Sequence, residues 1–215
     1  MHAMILSAGR GQRMRPLTDH TPKPLLEVKG KPLIQYHIEA LLRVGIENIV
    51  INLGHLGSKI EKRFGNGSSM NVQIQYSYED PILETGGGIA KALPLLGPKP
   101  FIVVSGDILT NFPFERLPKE PKGLLHLVLV DNPPHHLRGD YALVDGYITE
   151  GGGPLLNFAG IGVYRPELFQ ECPKGAFPVP QLFKKALQSQ QVTGEYYQGI
   201  WHNIGTPQQL LELNA

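Results

Sequence analysis

Cysteine is nearly absent from this 215-residue chain: Cys172 stands alone, which excludes an internal disulfide and a cluster of thiolate metal ligands and suits a reducing, cytoplasmic setting. An excess of charge is missing too. Lys and Arg total 20 against 19 Asp and Glu, so no overall field draws the protein to nucleic acid or an anionic membrane, and any affinity for phosphate must be local. Long apolar runs are lacking. The longest, around Leu124 to Val130, is broken by His126 and falls far short of a bilayer span, and the N-terminus has no cleavable signal pattern. A soluble, unprocessed protein with neither nucleic acid nor membrane as partner is expected; a monomer is compatible with this. The eight histidines are scattered and none forms the helical pair of a zinc hydrolase, while the one cluster, His135-His136, is adjacent in sequence and reads as solvated loop.

What is present is an alternation. Apolar runs at Ala3 to Ser7, Asn48 to Leu53, Val72 to Tyr78, Phe101 to Ser105, Leu124 to Val130, Phe158 to Tyr164 and Val192 to Tyr197 read as buried strands. Helix-period segments lie between them. Leu33, His37 and Leu41 beside Ile34, Ile38 and Leu42 repeat at i, i+4 and predict a helix entered at Pro32. Further helices are predicted at Leu56 to Phe64, Gly88 to Leu96 and Pro180 to Gln188. Thr206-Pro207-Gln208-Gln209 reads as a capping box opening a last helix. Strands alternating with helices predict an α/β fold with a mixed, mainly parallel sheet covered by helices on both faces. No repeat or interdomain linker appears, so residues 1–215 are expected to form one domain, its second half richer in Pro, Gly and short strands.

The first strand runs into Ala8-Gly9-Arg10-Gly11-Gln12-Arg13-Met14-Arg15-Pro16, where glycines let backbone N–H groups close on phosphate oxygens. A dinucleotide fingerprint needs a third glycine where Met14 stands, and an immediate helix where Pro16 stands. A P-loop fails at Gly30-Lys31, which is followed by Pro32 and not by Ser or Thr. What remains is a basic loop holding Arg10, Arg13, Arg15 and Lys23, a concentration of cations suited to a triphosphate.

Leu6 to Thr18, with Thr21-Pro22-Lys23-Pro24-Leu25, closely resembles the signature of nucleoside-diphosphate-sugar pyrophosphorylases, the sugar-1-phosphate nucleotidyltransferases. Gly30-Lys31-Pro32-Leu33-Ile34, Leu83-Glu84-Thr85-Gly86-Gly87, Ser105-Gly106-Asp107 and Trp201-His202-Asn203-Ile204-Gly205-Thr206-Pro207 resemble later segments of the family, in the same order. Within it the chain looks most like uridylyltransferases of cell-wall recycling, chiefly through Leu83 to Gly88 and Asp131 to Asp140.

The resemblance implies a Rossmann-like domain with nucleotide-binding and sugar-binding lobes, nucleoside triphosphate and sugar 1-phosphate as substrates, and Mg²⁺ as cofactor. It implies Arg13, Lys23 and Asp107 as catalytic residues, and Ala8, Gly9, Gly11, Glu79 and Gly87 around the nucleotide. Arg138, Gly139, Asp140, Glu150 and Gly160 fall to the sugar phosphate, and Asp107 and Asn203 to the metal. Glu79 leaves the base open, since a carboxylate accepts from uracil N3–H or from the two adjacent donors of guanine. Mannose-1-phosphate guanylyltransferase and glucose-1-phosphate enzymes are therefore alternatives. Asn203 stands where the family usually has Asp, which keeps open a non-catalytic sensor of nucleotide sugars.

Overall fold

The computed structural model describes residues 1–215. The chain begins with β1 (His2–Leu6), followed after a long loop by the small pair β2 (Glu27–Val28) and β3 (Lys31–Pro32), then α1 (Leu33–Arg43) and β4 (Asn48–Leu53). Next come α2 (Gly57–Phe64), β5 (Gln73–Tyr78), α3 (Glu84–Leu96), β6 (Phe101–Ser105) and β7 (Ile108–Thr110). The second half holds β8 (Leu125–Val130), β9 (Tyr141–Val144), β10 (Tyr147–Thr149), β11 (Leu155–Tyr164), α4 (Pro180–Gln188), β12 (Val192–Tyr196), β13 (Trp201–Asn203) and α5 (Pro207–Asn214).

Nine strands form one sheet in the order β5-β4-β1-β6-β11-β8-β12-β10-β9, with β11 also paired to β9. Pairing is parallel through β5-β4-β1-β6 and between β8 and β12, and antiparallel elsewhere. The molecule is thus a single α/β domain whose parallel half comes from the regular first part of the chain. β1 explains why: it is buried between two parallel neighbours, so it reads as an uninterrupted apolar run.

Apolar clusters on the two faces hold the helices to the sheet. Ile34, Ile38 and Leu41 of α1 join Ile5, Ile49 and Val104 on one face, and Ile89, Ala92 and Leu96 of α3 join Met4, Val50 and Val103 on the other. Each such side chain contributes about 1.5–3 kcal/mol by leaving water. The expected capping box is present: Thr206 Oγ1 accepts from Gln209 N–H and Gln209 Oε1 accepts from Thr206 N–H. Its α5 packs Leu210 against Met14, Leu26 and Leu33, tying the chain's last segment to the first loop.

One expected boundary is corrected: α3 begins at Glu84, four residues before the expected start at Gly88. Three consecutive glycines argue against a helix at about 1 kcal/mol each, yet here they are demanded by packing. A Cβ on Gly86 would stand 2.2 Å from the Phe177 ring, one on Gly87 2.2 Å from the Gly175 carbonyl oxygen, and one on Gly88 2.4 Å from Glu79 Oε1.

Candidate active site

Parallel strands β4, β1 and β6 end on the same edge of the sheet, where α/β folds bind their ligands. A cavity of about 910 Å³ opens there, lined by the 6–14 loop, Lys23, Asn52, Glu79, Ile82, the start of α3 at Glu84 and Thr85, Ser105 to Asp107 and Gly205. Its walls differ in charge. Arg13 and Lys23 lie toward Asp107 and Gly205, whereas Glu79 and Glu84 lie beyond β4 and β5. Three strand spacings separate β5 from β6, roughly 14 Å.

The basic wall is held from several directions. Gly11 sits in the left-handed region at φ 62°, and Thr18, fully buried, donates from Oγ1 to the Gly11 carbonyl at 2.9 Å, pinning the loop. Lys23 Nζ meets Asp107 Oδ2 at 2.6 Å. The Arg13 guanidinium lies over Gly205, within 3.4 Å of where a Cβ would be. Arg10 also lines the cavity, but Arg15 turns away to pair with Asp19 at 3.1 Å.

Asp107 emerges between β6 and β7, and two contacts fix the backbone there. Ile204 N–H donates to the Asp107 carbonyl at 3.0 Å, while His37 of α1 meets the Ile108 carbonyl at 2.9 Å. A carbonyl only accepts, so His37 carries its hydrogen on Nε2. Burial pushes this imidazole down to about 4, against the opposing pull of the Ile108 hydrogen bond and the Asp107 carboxylate.

β13 pairs with β7, setting Asn203 opposite Ile108 and so beside Asp107. Its Oδ1 is shut off from solvent without a hydrogen-bond partner. A buried carbonyl oxygen left unpaired costs about 1–3 kcal/mol, and a hard cation would remove that cost. No group of three or more acids, histidines or cysteines converges anywhere in the protein. Asp107 lines the cavity and Asn203 lies just behind its lining; a carboxylate and an amide oxygen are hard donors of the kind magnesium takes, its other ligands being waters and phosphates.

On the acidic wall, Glu79 is 6% exposed, with Oε1 accepting from Asn52 Nδ2 at 2.7 Å and Oε2 from Leu83 N–H at 2.8 Å. Glu84 lines the same wall at φ 58°, a left-handed conformation that a residue with a Cβ rarely adopts. Gly87 lies behind the lining, facing Gly175, and Glu84 and Thr85 occupy the surface in its place.

The sugar-phosphate candidates are not gathered into this cavity. Gly160 comes nearest: it sits at φ 73° within an irregular stretch of β11, and a Cβ there would stand 2.6 Å from Oγ of Ser105, a residue that lines the cavity. Gly139 packs on the Leu155 backbone, and Asp140 accepts from Phe158 N–H at 2.8 Å and meets His136 Nε2 at 3.0 Å. Arg138 and Glu150 are exposed in loops. Asn52 and His37 lie outside the family segments, and their only signal is a polar side chain inside an apolar pattern; Thr18 closes the first signature, but the sequence does not show that its hydroxyl holds the Gly11 carbonyl.

The model of the nucleotidyl transferase family matches residues 2–144 of the chain. The N-acetylmuramate alpha-1-phosphate uridylyltransferase of Neisseria meningitidis serogroup B is 46% identical, over 100% of this chain and 97% of its own length. The chain belongs to the sugar-1-phosphate nucleotidyltransferases. It is therefore an enzyme of the nucleotidyltransferase class. A protein of the same name from Caulobacter vibrioides is 30% identical over 99% of this chain and 95% of its own. The fold is also that of HddC from Yersinia pseudotuberculosis, solved with GMP-PN, with a TM-score of 0.80 at 20% identity over 99% of this chain and 97% of that one.

Proposed function

We propose that this nucleotidyltransferase transfers UMP from UTP to N-acetylmuramate α-1-phosphate, giving UDP-N-acetylmuramate and pyrophosphate in peptidoglycan recycling. The 46% identity to the meningococcal uridylyltransferase over the whole chain carries this reading. The polarised cavity supports it, because a triphosphate suits the basic wall and a neutral nucleoside, rich in donors, suits the acidic one. UTP is made inside the cell, so the cytoplasm is the proposed place of work.

In the proposed reaction an oxygen of the sugar phosphate attacks the α-phosphorus as the bond to the β-phosphate oxygen breaks and pyrophosphate leaves. Arg13 bridges phosphate oxygens as a planar fork, and Lys23 exchanges Asp107 for the α-phosphate. Backbone N–H groups of Ala8, Gly9 and Gly11 approach the nucleotide, and Glu79 faces the base. Asp107 and Asn203 would hold Mg²⁺, which when bound neutralises charge on the phosphate oxygens. Such transfers are accelerated by alignment and by stabilisation of developing charge. Pyrophosphate release measured across UTP, GTP, CTP and ATP with muramate, glucosamine, glucose and mannose phosphates tests the assignment; a best pair other than UTP and the muramate phosphate overturns it.

Asn203→Asp should lower the magnesium concentration for half-maximal rate several-fold, because a carboxylate adds charge where the amide offers only a dipole. An unchanged magnesium titration, and unchanged Mn²⁺ binding by calorimetry, would remove Asn203 from the metal site. No turnover in the wild type at any metal concentration would favour a sensor.

N-acetylmuramate carries a lactyl carboxylate that N-acetylglucosamine lacks. Arg138, exposed and without an ion pair, is the proposed cation for it on a loop pinned by Asn132 and Asp140. Arg138→Ala should raise KM for the muramate phosphate by roughly three- to tenfold more than for the glucosamine phosphate. Equal losses would mean that the loop does not read the carboxylate.

A further inference from the structure

The acidic wall contains a directed chain of hydrogen bonds that no side chain on the basic wall joins. Ser7 N–H donates to Asn52 Oδ1 at 2.7 Å, and Asn52 Nδ2 donates to Glu79 Oε1 at the same distance. From the other side Leu83 N–H donates to Glu79 Oε2 at 2.8 Å. The chain links the ends of β1, β4 and β5 with the entry to α3, and Asn52 is 3% exposed within it. Gly88 leaves the room it needs, since a Cβ there would stand 2.4 Å from Glu79 Oε1 and 3.0 Å from Asn52 Nδ2.

The direction of this chain is forced. A backbone N–H can only donate, so Ser7 fixes the Asn52 oxygen toward itself and the amide nitrogen toward Glu79. That nitrogen also can only donate. Glu79 is thus addressed by donors at both oxygens, and what it has left to present to the cavity is acceptor lone pairs. We infer that Asn52 is a positioning residue that sets base selectivity: by fixing Glu79 as an acceptor, it admits nucleotides whose base carries an N–H at the centre of its pairing edge and rejects those with a bare nitrogen there. Uracil N3–H and guanine N1–H meet this condition. Cytosine N3 and adenine N1 do not, because an acceptor would face an acceptor in a buried site, and such sites discriminate strongly. The inference rests on the proposal that a nucleoside triphosphate occupies this cavity, and it deepens that reading from a nucleotide to a class of base.

The polarity can be reversed on purpose. In the double variant Asn52→Asp, Glu79→Gln, the carboxylate introduced at position 52 still accepts from Ser7 N–H. Its second oxygen accepts from the amide introduced at position 79, whose own oxygen still accepts from Leu83 N–H. The remaining hydrogen of that amide then points a donor at the base. Glu79→Gln alone sets its amide nitrogen against a donor whichever way it turns, Asn52 Nδ2 in one orientation and Leu83 N–H in the other. The test compares kcat/KM and calorimetric Kd for UTP, GTP, CTP and ATP in the wild type, the Glu79→Gln single variant and the double variant. Wild type should favour UTP or GTP over CTP and ATP by about a hundredfold or more, and the double variant should lower the UTP-to-CTP ratio at least tenfold. It should also bind nucleotide better than Glu79→Gln alone, a rescue that loss of packing would not produce. A wild type that prefers GTP would defeat the proposed function and leave this inference standing. A wild type that prefers CTP or ATP, a double variant with the wild-type ratio, or a single variant equal to the double would overturn it; should the double variant not fold, Asn52→Ala is measured in its place, a lowered UTP-to-CTP ratio being expected and an unchanged one overturning the inference.

Discussion

Lys23→Ala and Asp107→Ala should each lower kcat/KM by about a hundredfold or more, with thermal midpoints close to wild type. A single well-placed charge at a transferring phosphoryl group is worth about 2.7–4 kcal/mol, which corresponds to that loss. Folding stability is governed by different contacts. The 2.6 Å pair between the two residues opens onto the cavity, and the Asp107 side chain is 36% exposed, so water screens what is left when one partner goes. The Lys23 side chain is only 11% exposed, so the pair is half-buried, and its loss should cost somewhat more than the roughly 0–1 kcal/mol of a fully exposed pair, still far less than the catalytic loss. The apolar clusters beneath the site are untouched by either change. Single-turnover measurement of pyrophosphate release, beside a thermal melt, separates the two quantities. Turnover like that of the wild type in either variant removes the residue from the proposed chemistry, and a collapsed melt would assign it a structural role.

The pair also ties two distant segments of the site together. Each group neutralises the other across a sequence separation of 84 residues, which draws the first loop and the end of β6 together. The proposed chemistry asks the two to exchange partners, Lys23 for a phosphate and Asp107 for a cation. Preorganisation of this sort lowers the reorganisation needed at the moment of reaction.

How legible the protein is in its sequence depends on the length of each pattern. β1, β4 and β6 are buried in the parallel half, and a run of three or four apolar residues, Ala3 to Leu6, Ile49 to Ile51 and Phe101 to Val104, announces each. α1 shows its i, i+4 face, and α5 its capping box. The pairs β2-β3, β7-β13 and β9-β10 are invisible, because strands of two to four residues complete no period and are held by register with distant partners. That loss matters at the site, since the β7-β13 pairing is what brings Asn203 beside Asp107. The cations of the first loop stand out against a near-neutral chain. Asn52, inside Val50-Ile51-Asn52-Leu53, looks like one more strand residue, and only the fold shows that Ser7 and Glu79 wait on either side of it.

Gly87→Ala brings local propensity and packing into direct conflict, and packing should win. In an isolated helix the change would gain about 1 kcal/mol, because alanine loses less backbone entropy than glycine. In this protein the new methyl would stand 2.2 Å from the Gly175 carbonyl oxygen and 3.0 Å from Leu83 Cβ, and the first of these is backbone that cannot rotate away. Relief requires the segment around Gly175 to move off α3. That movement would strain the bonds from Gly86 N–H and Gly87 N–H to the Phe177 carbonyl, at 2.8 and 3.2 Å, which satisfy donors that the first turn of a helix cannot satisfy for itself. It would also disturb Phe177, buried at 3% exposure against the same turn. Overpacking of this kind costs about 1–3 kcal/mol, more than the helix gains. For a domain of this size the thermal midpoint should fall by several degrees. Gly151→Ala is the control, since nothing lies within 4 Å of its would-be Cβ. A melt of Gly87→Ala at or above that of the wild type would show that the 173–178 segment yields freely, and that propensity alone governs where α3 begins.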